Sequence, residues 1–215
     1  MIEIIQGSPE WHALRLGKVT ASRVADVVAT TKSGPSASRT NYMAELLVER
    51  LTGQAPARFT NAAMDWGTAT EPDARDAYAF YSGNGVELVG FVGHPTIPMS
   101  GASPDGRVGS DGLIEIKCPN TATHIETLLG GTVPSKYRTQ MQWQMACEGR
   151  AWCDFVSYDP RMPESMRLFV RRIERDPSTI ADLEREVRAF LADLDAKISR
   201  LRAAYDLDRT QEAAQ

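Results

Sequence analysis

The chain has 215 residues, 42% of them hydrophobic and 24% charged, with a formal net charge of −4. That length suits a single domain able to bury its own core without a disulfide or metal staple. The charge excludes a surface coated in basic residues but leaves room for a local nucleic-acid site, and no run of about 18 apolar residues is present to span a membrane. Residues 1–6 lack a basic region and an apolar core, so a protein that is not exported is expected. Cys118, Cys147 and Cys153 are an odd number at spacings unlike a metal site, and read as reduced thiols. Acidic charge concentrates in residues 61–120, with eight acidic against three basic side chains. Such an excess is either a solvated face or a cation site.

In chain order, a short strand opens the sequence, then a turn at Gly7-Ser8-Pro9 and a short helix over 10–16. Thr20 is a candidate N-cap for a helix whose apolar stripe is Val24, Val27 and Val28. Residues 30–40 are rich in Ser, Thr, Gly and Pro and read as a mobile loop. A helix follows over 42–51 and stops at Gly53. Another runs over 65–81, with Pro72 tolerable only in its first turn. Residues 86–92 alternate like a strand. Residues 99–104 and 113–118 read as a hairpin turning at Gly109-Ser110-Asp111-Gly112. Helices over 121–129 and 135–148 precede strands over 154–158 and 167–173. After Pro177, Ile180, Leu183, Val187, Leu191, Leu194, Ile198 and Leu201 step by threes and fours along a long amphipathic helix. The expectation is one α/β domain over residues 1–205, a small central mixed sheet flanked by helices, with a polar tail over 206–215 that frays.

The chemistry concentrates at Pro104-Asp105 and Ile114-Glu115-Ile116-Lys117. On a strand, Glu115 and Lys117 project from one face about 6.5 Å apart, while Ile114, Ile116 and Cys118 take the other. A tight hairpin brings Asp105 beside Glu115. Two such carboxylates repel and lose hydration unless a cation lies between them. Oxygen ligands without His or Cys favour Mg²⁺ or Mn²⁺. Lys117 stands where it can orient or deprotonate an attacking water, or stabilise a pentavalent transition state. Taken alone, the pattern also fits an ordinary hairpin with a Glu–Lys pair on its outer face.

Pro-Asp followed by Glu-x-Lys resembles the signature of the PD-(D/E)XK nuclease superfamily. Further motifs are similar in order and spacing to the lambda-exonuclease type of phage recombination nuclease. They are Trp11-His12-x-Leu14-Arg15-Leu16-Gly17, Thr20-Ala21-Ser22, Trp66-Gly67-x-x-x-Glu71-x-Asp73-Ala74, Ser103-Pro104-Asp105-Gly106, residues 113–119, and Tyr158-Asp159-Pro160-Arg161-Met162. The resemblance spans about residues 10–176. It implies a restriction-endonuclease-like core and a 5′→3′ exonuclease that processively degrades one strand of linear double-stranded DNA to 5′-mononucleotides, leaving 3′ overhangs. Two Mg²⁺ ions, or Mn²⁺, are implied. Asp105, Glu115 and the carbonyl of Ile116 would hold one ion, and Glu71 with Asp105 the other. Lys117 would be the catalytic lysine and Gln140 the glutamine of the active-site helix. Arg15, Ser22 and Ser103 match the family's 5′-phosphate pocket.

Met64 matches an apolar wedge, and Lys32 and Arg39 the bases of a DNA-contacting loop, although residues 30–40 depart from the family pattern. The resemblance further implies a homotrimeric ring, a single-strand annealing partner, and a phage or prophage protein working in the cytoplasm of a bacterial host. A related two-metal endonuclease and a non-catalytic DNA-end-binding module are the competing readings. His12, His94 and His124 show no ligand spacing and read as structural or surface residues. Trp143 and Trp152 read as core; Trp11 also reads as core, with stacking on a base or facing a partner as its alternatives, and a core role competes with the wedge for Met64. The last helix is expected to cover the chain's own core.

Overall fold

Local capping chemistry sets most element boundaries in the structure, a computed structural model that describes residues 5–32, 34–55 and 61–205. The elements are α1 (Pro9–Arg15), β1 (Val19–Thr20), a 3-10 turn (Ala21–Arg23) leading into α2 (Val24–Val28), β2 (Thr30–Thr31), β3 (Gly34–Pro35), α3 (Ala37–Thr52) and α4 (Ala62–Ser82). Then come β4 (Val86–Glu87), β5 (Val92–Gly93), β6 (Ser100–Ala102), β7 (Gly106–Val108), β8 (Gly112–Lys117), α5 (Thr121–Gly130) and α6 (Ser135–Glu148). The chain continues with β9 (Trp152–Tyr158), a 3-10 turn (Glu164–Met166), β10 (Leu168–Glu174) and α7 (Pro177–Tyr205). The expected opening strand falls mostly outside the described residues, and the tail over 206–215 falls outside them altogether.

Ser8 caps α1 by accepting from the Trp11 N–H, and Asn120 caps α5 through Thr123. Gly53 ends α3 at φ 69°, a left-handed conformation that glycine adopts without a Cβ clash. The main sheet has the order β10-β9-β8-β7-β4. β8 pairs in parallel with β9 and antiparallel with β7. A second sheet has the order β1-β6-β5.

Three apolar clusters hold these layers. Ile114, Ile116 and Val156 pack with Ala74 and Tyr78 of α4 on one face of the main sheet. Leu113, Cys153 and Phe155 pack with Met141 and Met145 of α6 on the other. The largest cluster joins α2, α3, α6 and α7 through Val24, Val27, Tyr42, Leu46, Trp143, Leu183, Val187, Phe190 and Leu194. The last helix therefore covers the chain's own core.

Several expectations change. Thr20 stands at the cap position of the 3-10 turn, but its side chain makes no capping bond. Residues 30–31 and 34–35 pair as a small hairpin, and α3 begins at Ala37, so the expected mobile loop is largely regular structure. Ser36 explains the early start of α3, because it accepts from the Arg39 N–H. α4 likewise starts early, at Ala62, because the Asn61 side chain caps it by accepting from the Ala63 and Met64 N–H groups. That places Pro72 inside the helix rather than in its first turn. Proline offers no N–H to the Thr68 carbonyl, and Thr68 is exposed, so solvent reaches the freed oxygen.

Residues 86–92 split between the two sheets as β4 and β5. The hairpin partner of β8 is β7, whereas β6, within 99–104, belongs to the second sheet. Pro104 lacks an N–H for a continuous ladder, which separates β6 from β7.

Phe190 is fully buried and stacks on Tyr42 with ring centroids 5.8 Å apart. Phe190→Ala should cost about 3–5 kcal/mol, measured by equilibrium urea unfolding. A loss under about 1 kcal/mol would show that α7 does not anchor this core.

Candidate active site

The β7–β8 register pairs Gly106 with Ile114. One step further sets Asp105 opposite Glu115, and residues directly opposite on a sheet share a face. Asp105 takes over a ladder role as well: its Oδ2 accepts the Ile116 N–H at 2.6 Å. Glu115 is wholly buried. Gln140 Nε2 donates to its Oε1 at 2.7 Å, and Gln144 Nε2 donates to its Oε2 at 2.6 Å. Lys117 pairs with Oε1 and keeps 29% of its side chain exposed. The expected trio of Asp105, Glu115 and Lys117 is thus assembled, and Gln140 joins it.

Glu71 arrives from α4. Arg75, one turn later, donates to its Oε1 at 2.6 Å. Glu71 lines a groove of about 510 Å³ with Met64, Gly67, Ile116, Lys117 and Tyr137. It also borders a second cavity, with Asp105. Burial, reinforced by the Glu115 charge, pushes the Asp105 carboxyl well above the usual carboxylate range. Burial also raises Glu71, against the pull of Arg75 and Lys117. Burial draws the Lys117 ammonium down, but Glu115 and Asp105 outweigh it and hold the group above the ordinary lysine range.

This donor set fits a hard divalent cation. Asp105, Glu71 and Glu115 supply oxygen only, and the first two are strained as bare anions. Among the described residues no three His, Cys, Asp or Glu side chains form a ready-made cage. Both Glu115 oxygens accept from side chains, one from Gln140 and Lys117 and the other from Gln144. Mg²⁺ ordinarily takes one or two carboxylates and completes its shell with water and substrate phosphate, so a partial protein shell suits it.

On the other side of Asp105, Ser103 Oγ accepts from Arg15 Nη1 at 3.1 Å and Trp11 Nε1 at 3.0 Å. The Arg15 guanidinium lies 3.9 Å over the Trp11 ring. Arg15 and Ser22 line a cavity of about 500 Å³ with Lys18, Thr20 and Arg23. Ser22 lies in the 3-10 turn, and its Oγ is 3.4 Å from Thr20 Oγ1.

Met64 is 54% exposed in the first turn of α4 and borders both this cavity and the groove, so the competing core role does not apply. Lys32 is exposed between β2 and β3. Arg39 instead turns inward, donating to the Val27 carbonyl and lying 5.1 Å over the Phe190 ring. Trp11 is not a core residue; its indole N–H donates to Ser103, and it lines the cavity that Asp105 also borders. His94 and His124 are buried and structural: His94 stacks on Trp143, and His124 bonds Ser157 and the Met166 carbonyl.

Sequence reasoning missed Gln144 and Arg75. Both carry a helical signal, Gln140 to Gln144 and Glu71 to Arg75 at i, i+4, which puts each beside a residue already singled out.

Comparison with known proteins agrees with this geometry. The profile of the YqaJ-like viral recombinase domain matches residues 10–151. The crystal structure of LHK-Exo in complex with dAMP is 58% identical, with a TM-score of 0.87 over 92% of this chain and 97% of that chain. A crystal structure of LHK-Exo, an alkaline exonuclease from Laribacter hongkongensis, gives the same identity and TM-score over 93% and 100%. A phage related exonuclease from Haemophilus somnus 129PT shares the fold at 18% identity, with a TM-score of 0.68 over 86% and 96%. No curated protein matches.

Asp105 and Glu71 bind protons more tightly in the folded than in the unfolded chain. Their contribution to stability is full below the unfolded carboxylate value, near ~4, and is lost as pH rises through the raised native values. A cation that binds the ionised pair restores it. The melting temperature in EDTA should therefore fall between mildly acidic and neutral pH, and Ca²⁺ or Mg²⁺ should raise it at neutral pH. Asp105→Asn should flatten both responses. An unchanged melting temperature on adding either ion at neutral pH would remove the cation reading.

Proposed function

Because the chain belongs to the YqaJ-like viral recombinase family, we propose that it is a Mg²⁺-dependent 5′→3′ exonuclease on linear double-stranded DNA, releasing 5′-mononucleotides and leaving 3′ overhangs. The observation that carries this reading is the buried Glu115, on β8 opposite Asp105 and bonded to Lys117 and Gln140. The alkaline exonuclease at 58% identity supports the same reaction class, and its crystal with dAMP holds a mononucleotide of the kind this reaction releases.

A 5′-phosphate docks at Arg15, Ser22 and Ser103, where a planar guanidinium matches phosphate oxygens. Glu71, Asp105, Glu115 and the Ile116 carbonyl would hold the divalent ions. When bound, the ions supply Lewis acidity at the scissile phosphate and make the attacking water more acidic. Lys117, kept protonated by two carboxylates, orients that water and stabilises charge building on the phosphoryl oxygens. Gln140 and Gln144 donate to the two Glu115 oxygens and fix the orientation of that carboxyl group.

The O3′–P bond breaks, the terminal nucleotide leaves, and the next residue carries a new 5′-phosphate for the same pocket. Met64 at the groove mouth parts the strands and Lys32, between β2 and β3, contacts DNA, whereas Arg39, turned inward on α3, does not. The reading includes a homotrimer encircling the duplex, which would let a chain of net charge −4 track DNA through a locally positive channel. It also includes a single-strand annealing partner in a bacterial host cytoplasm. Among the described residues no helix is long and apolar enough to cross a membrane.

Lys117→Ala should lower turnover by about 10²–10³-fold, as loss of a transition-state donor does, while end binding in Ca²⁺ persists. Activity within tenfold of wild type would sink the mechanism. The gel assay uses linear duplex and closed circles, with Mg²⁺ or EDTA. Degradation of linear DNA alone, and only with Mg²⁺, is the expected result; nicking of the circle would point to an endonuclease.

Arg15→Ala should abolish the preference for 5′-phosphate over 5′-hydroxyl ends and shorten processive runs. If wild type itself digests both ends equally, the assigned pocket is wrong.

A further inference from the structure

Arg15 closes α1 and Ser22 lies in the 3-10 turn, so the segment 17–20 connects two of the groups assigned to the 5′-phosphate. Helix α3 grips that segment by its backbone. Glu49 Oε2 accepts the Gly17 N–H at 2.6 Å, and Arg50 Nε donates to the Gly17 carbonyl at 2.7 Å. The Tyr42 hydroxyl donates to the Lys18 carbonyl at 3.3 Å and accepts the Thr20 N–H at 3.2 Å. Burial pushes the Tyr42 phenol up to about 12, so it keeps the proton it donates.

Gly17 is where the chain turns. It is left-handed at φ +68°, and a Cβ there would meet Arg50 Cγ at 2.8 Å. Any other residue would be strained in this conformation and would press on α3. Glycine permits the turn but does not select it, since it adopts many others as readily. The selection comes from two successive residues of α3, which take its N–H and its carbonyl. Arg50 is itself anchored, with Nη1 2.6 Å from Asp195 of α7.

Glu49 is 8% exposed and borders the 500 Å³ cavity together with Arg15 and Ser22. A carboxylate there repels the phosphate the cavity is to hold. Its presence therefore needs a reason other than binding, and the Gly17 N–H supplies one. A hydrogen bond to an ionised acceptor is about twice as strong as a neutral one.

We propose that Glu49, seconded by Tyr42, is a positioning residue for the 5′-phosphate: by holding the backbone of 17–20 it fixes the turn that carries Arg15 and Ser22 to one cavity. The inference rests on the exonuclease reading and its Arg15 pocket, and adds residues that act through Arg15. Without the Glu49 bond the turn relaxes, and the guanidinium loses its aligned match to the phosphate oxygens. The carboxylate side is held by other elements, β7, β8 and α6, and keeps its geometry.

The test is single-turnover excision with Mg²⁺ from duplexes bearing 5′-phosphate or 5′-hydroxyl ends. Glu49→Ala should slow the phosphate end about tenfold, the scale of a hydrogen bond to a charged group, and leave the hydroxyl end unchanged. Glu49→Gln keeps an oxygen acceptor and should keep the preference. Added to Arg15→Ala, Glu49→Ala should slow neither end further, because residues acting as a unit are not additive. Tyr42→Phe removes one hydroxyl and no ring packing, and should lower the preference about threefold. It carries the test if a thermal melt shows Glu49→Ala to be unfolded. Retained preference in both Glu49→Ala and Tyr42→Phe would overturn the inference. So would equal slowing of the two ends, loss of preference in Glu49→Gln, or additive losses in the double variant. Equal wild-type rates on the two ends would instead overturn the Arg15 pocket, and no excision of either end the exonuclease reading, and the inference would fall with them.

Discussion

A carboxylate with no solvent exposure, in the middle of a six-residue strand, is the constraint around which the site is arranged. Burying an unpaired ion costs several kcal/mol, so the surrounding elements must supply donors. Lys117 does so from two residues along the same strand. Gln140 and Gln144 do so from one face of α6, an i, i+4 pair spanning both Glu115 oxygens. This explains why α6 carries polar side chains into its buried face between Met141 and Met145. A helix that packs only on apolar residues has no use for a fully buried glutamine. The arrangement is high in stakes, since removing one donor leaves a charge or an amide unpaired in a dry setting.

Two opposite fields meet in a small space. Asp105, Glu115 and Glu71 concentrate negative charge beside β8, while Arg15, Lys18 and Arg23 line the neighbouring cavity together with Glu45 and Glu49. Ser103 bonds Arg15 and Trp11, and Trp11 lines the cavity that Asp105 also borders. Several of the cations are already restrained: Arg23 bonds Asp26 at 2.6 Å and Glu45 at 2.9 Å. A phosphodiester chain suits this geometry, because it is anionic at each phosphate and offers oxygen ligands to a cation at the next. The net charge of the whole chain says little about such a local division.

Much of this was legible in the sequence, for identifiable reasons. The period-2 run Ile114, Glu115, Ile116, Lys117 fixed both faces of β8, and the four-residue turn at 109–112 set the hairpin. The α7 stripe was equally plain, missing only Phe190. Short strands were harder, because two-residue pairs such as Val86–Glu87 and Val92–Gly93 carry no period of their own and are defined by partners distant in sequence. Cap residues moved two helix starts upstream, since Ser36 and Asn61 sit within polar stretches that read as loop. Trp11 was misread as core because an indole is usually core. Its hydrogen bond to Ser103 joins residues 92 apart, and no local pattern encodes it.

α4 shows how local cost is accepted at such a site. Gly67 sits within this helix with open space where a Cβ would stand. It costs about 1 kcal/mol relative to alanine with no packing to explain it. Pro72, five residues on, removes a further helical hydrogen bond. Both flank Glu71, and Gly67 borders the groove that also holds Lys117. The same helix also acts as a ruler. Met64 and Glu71 are seven residues apart on one face, about 10 Å along the axis. At about 3.4 Å of rise per base, that spans about three steps of a strand. On the proposed reading, one rigid element fixes how far the point of strand separation lies from the carboxylate that serves the scissile phosphate.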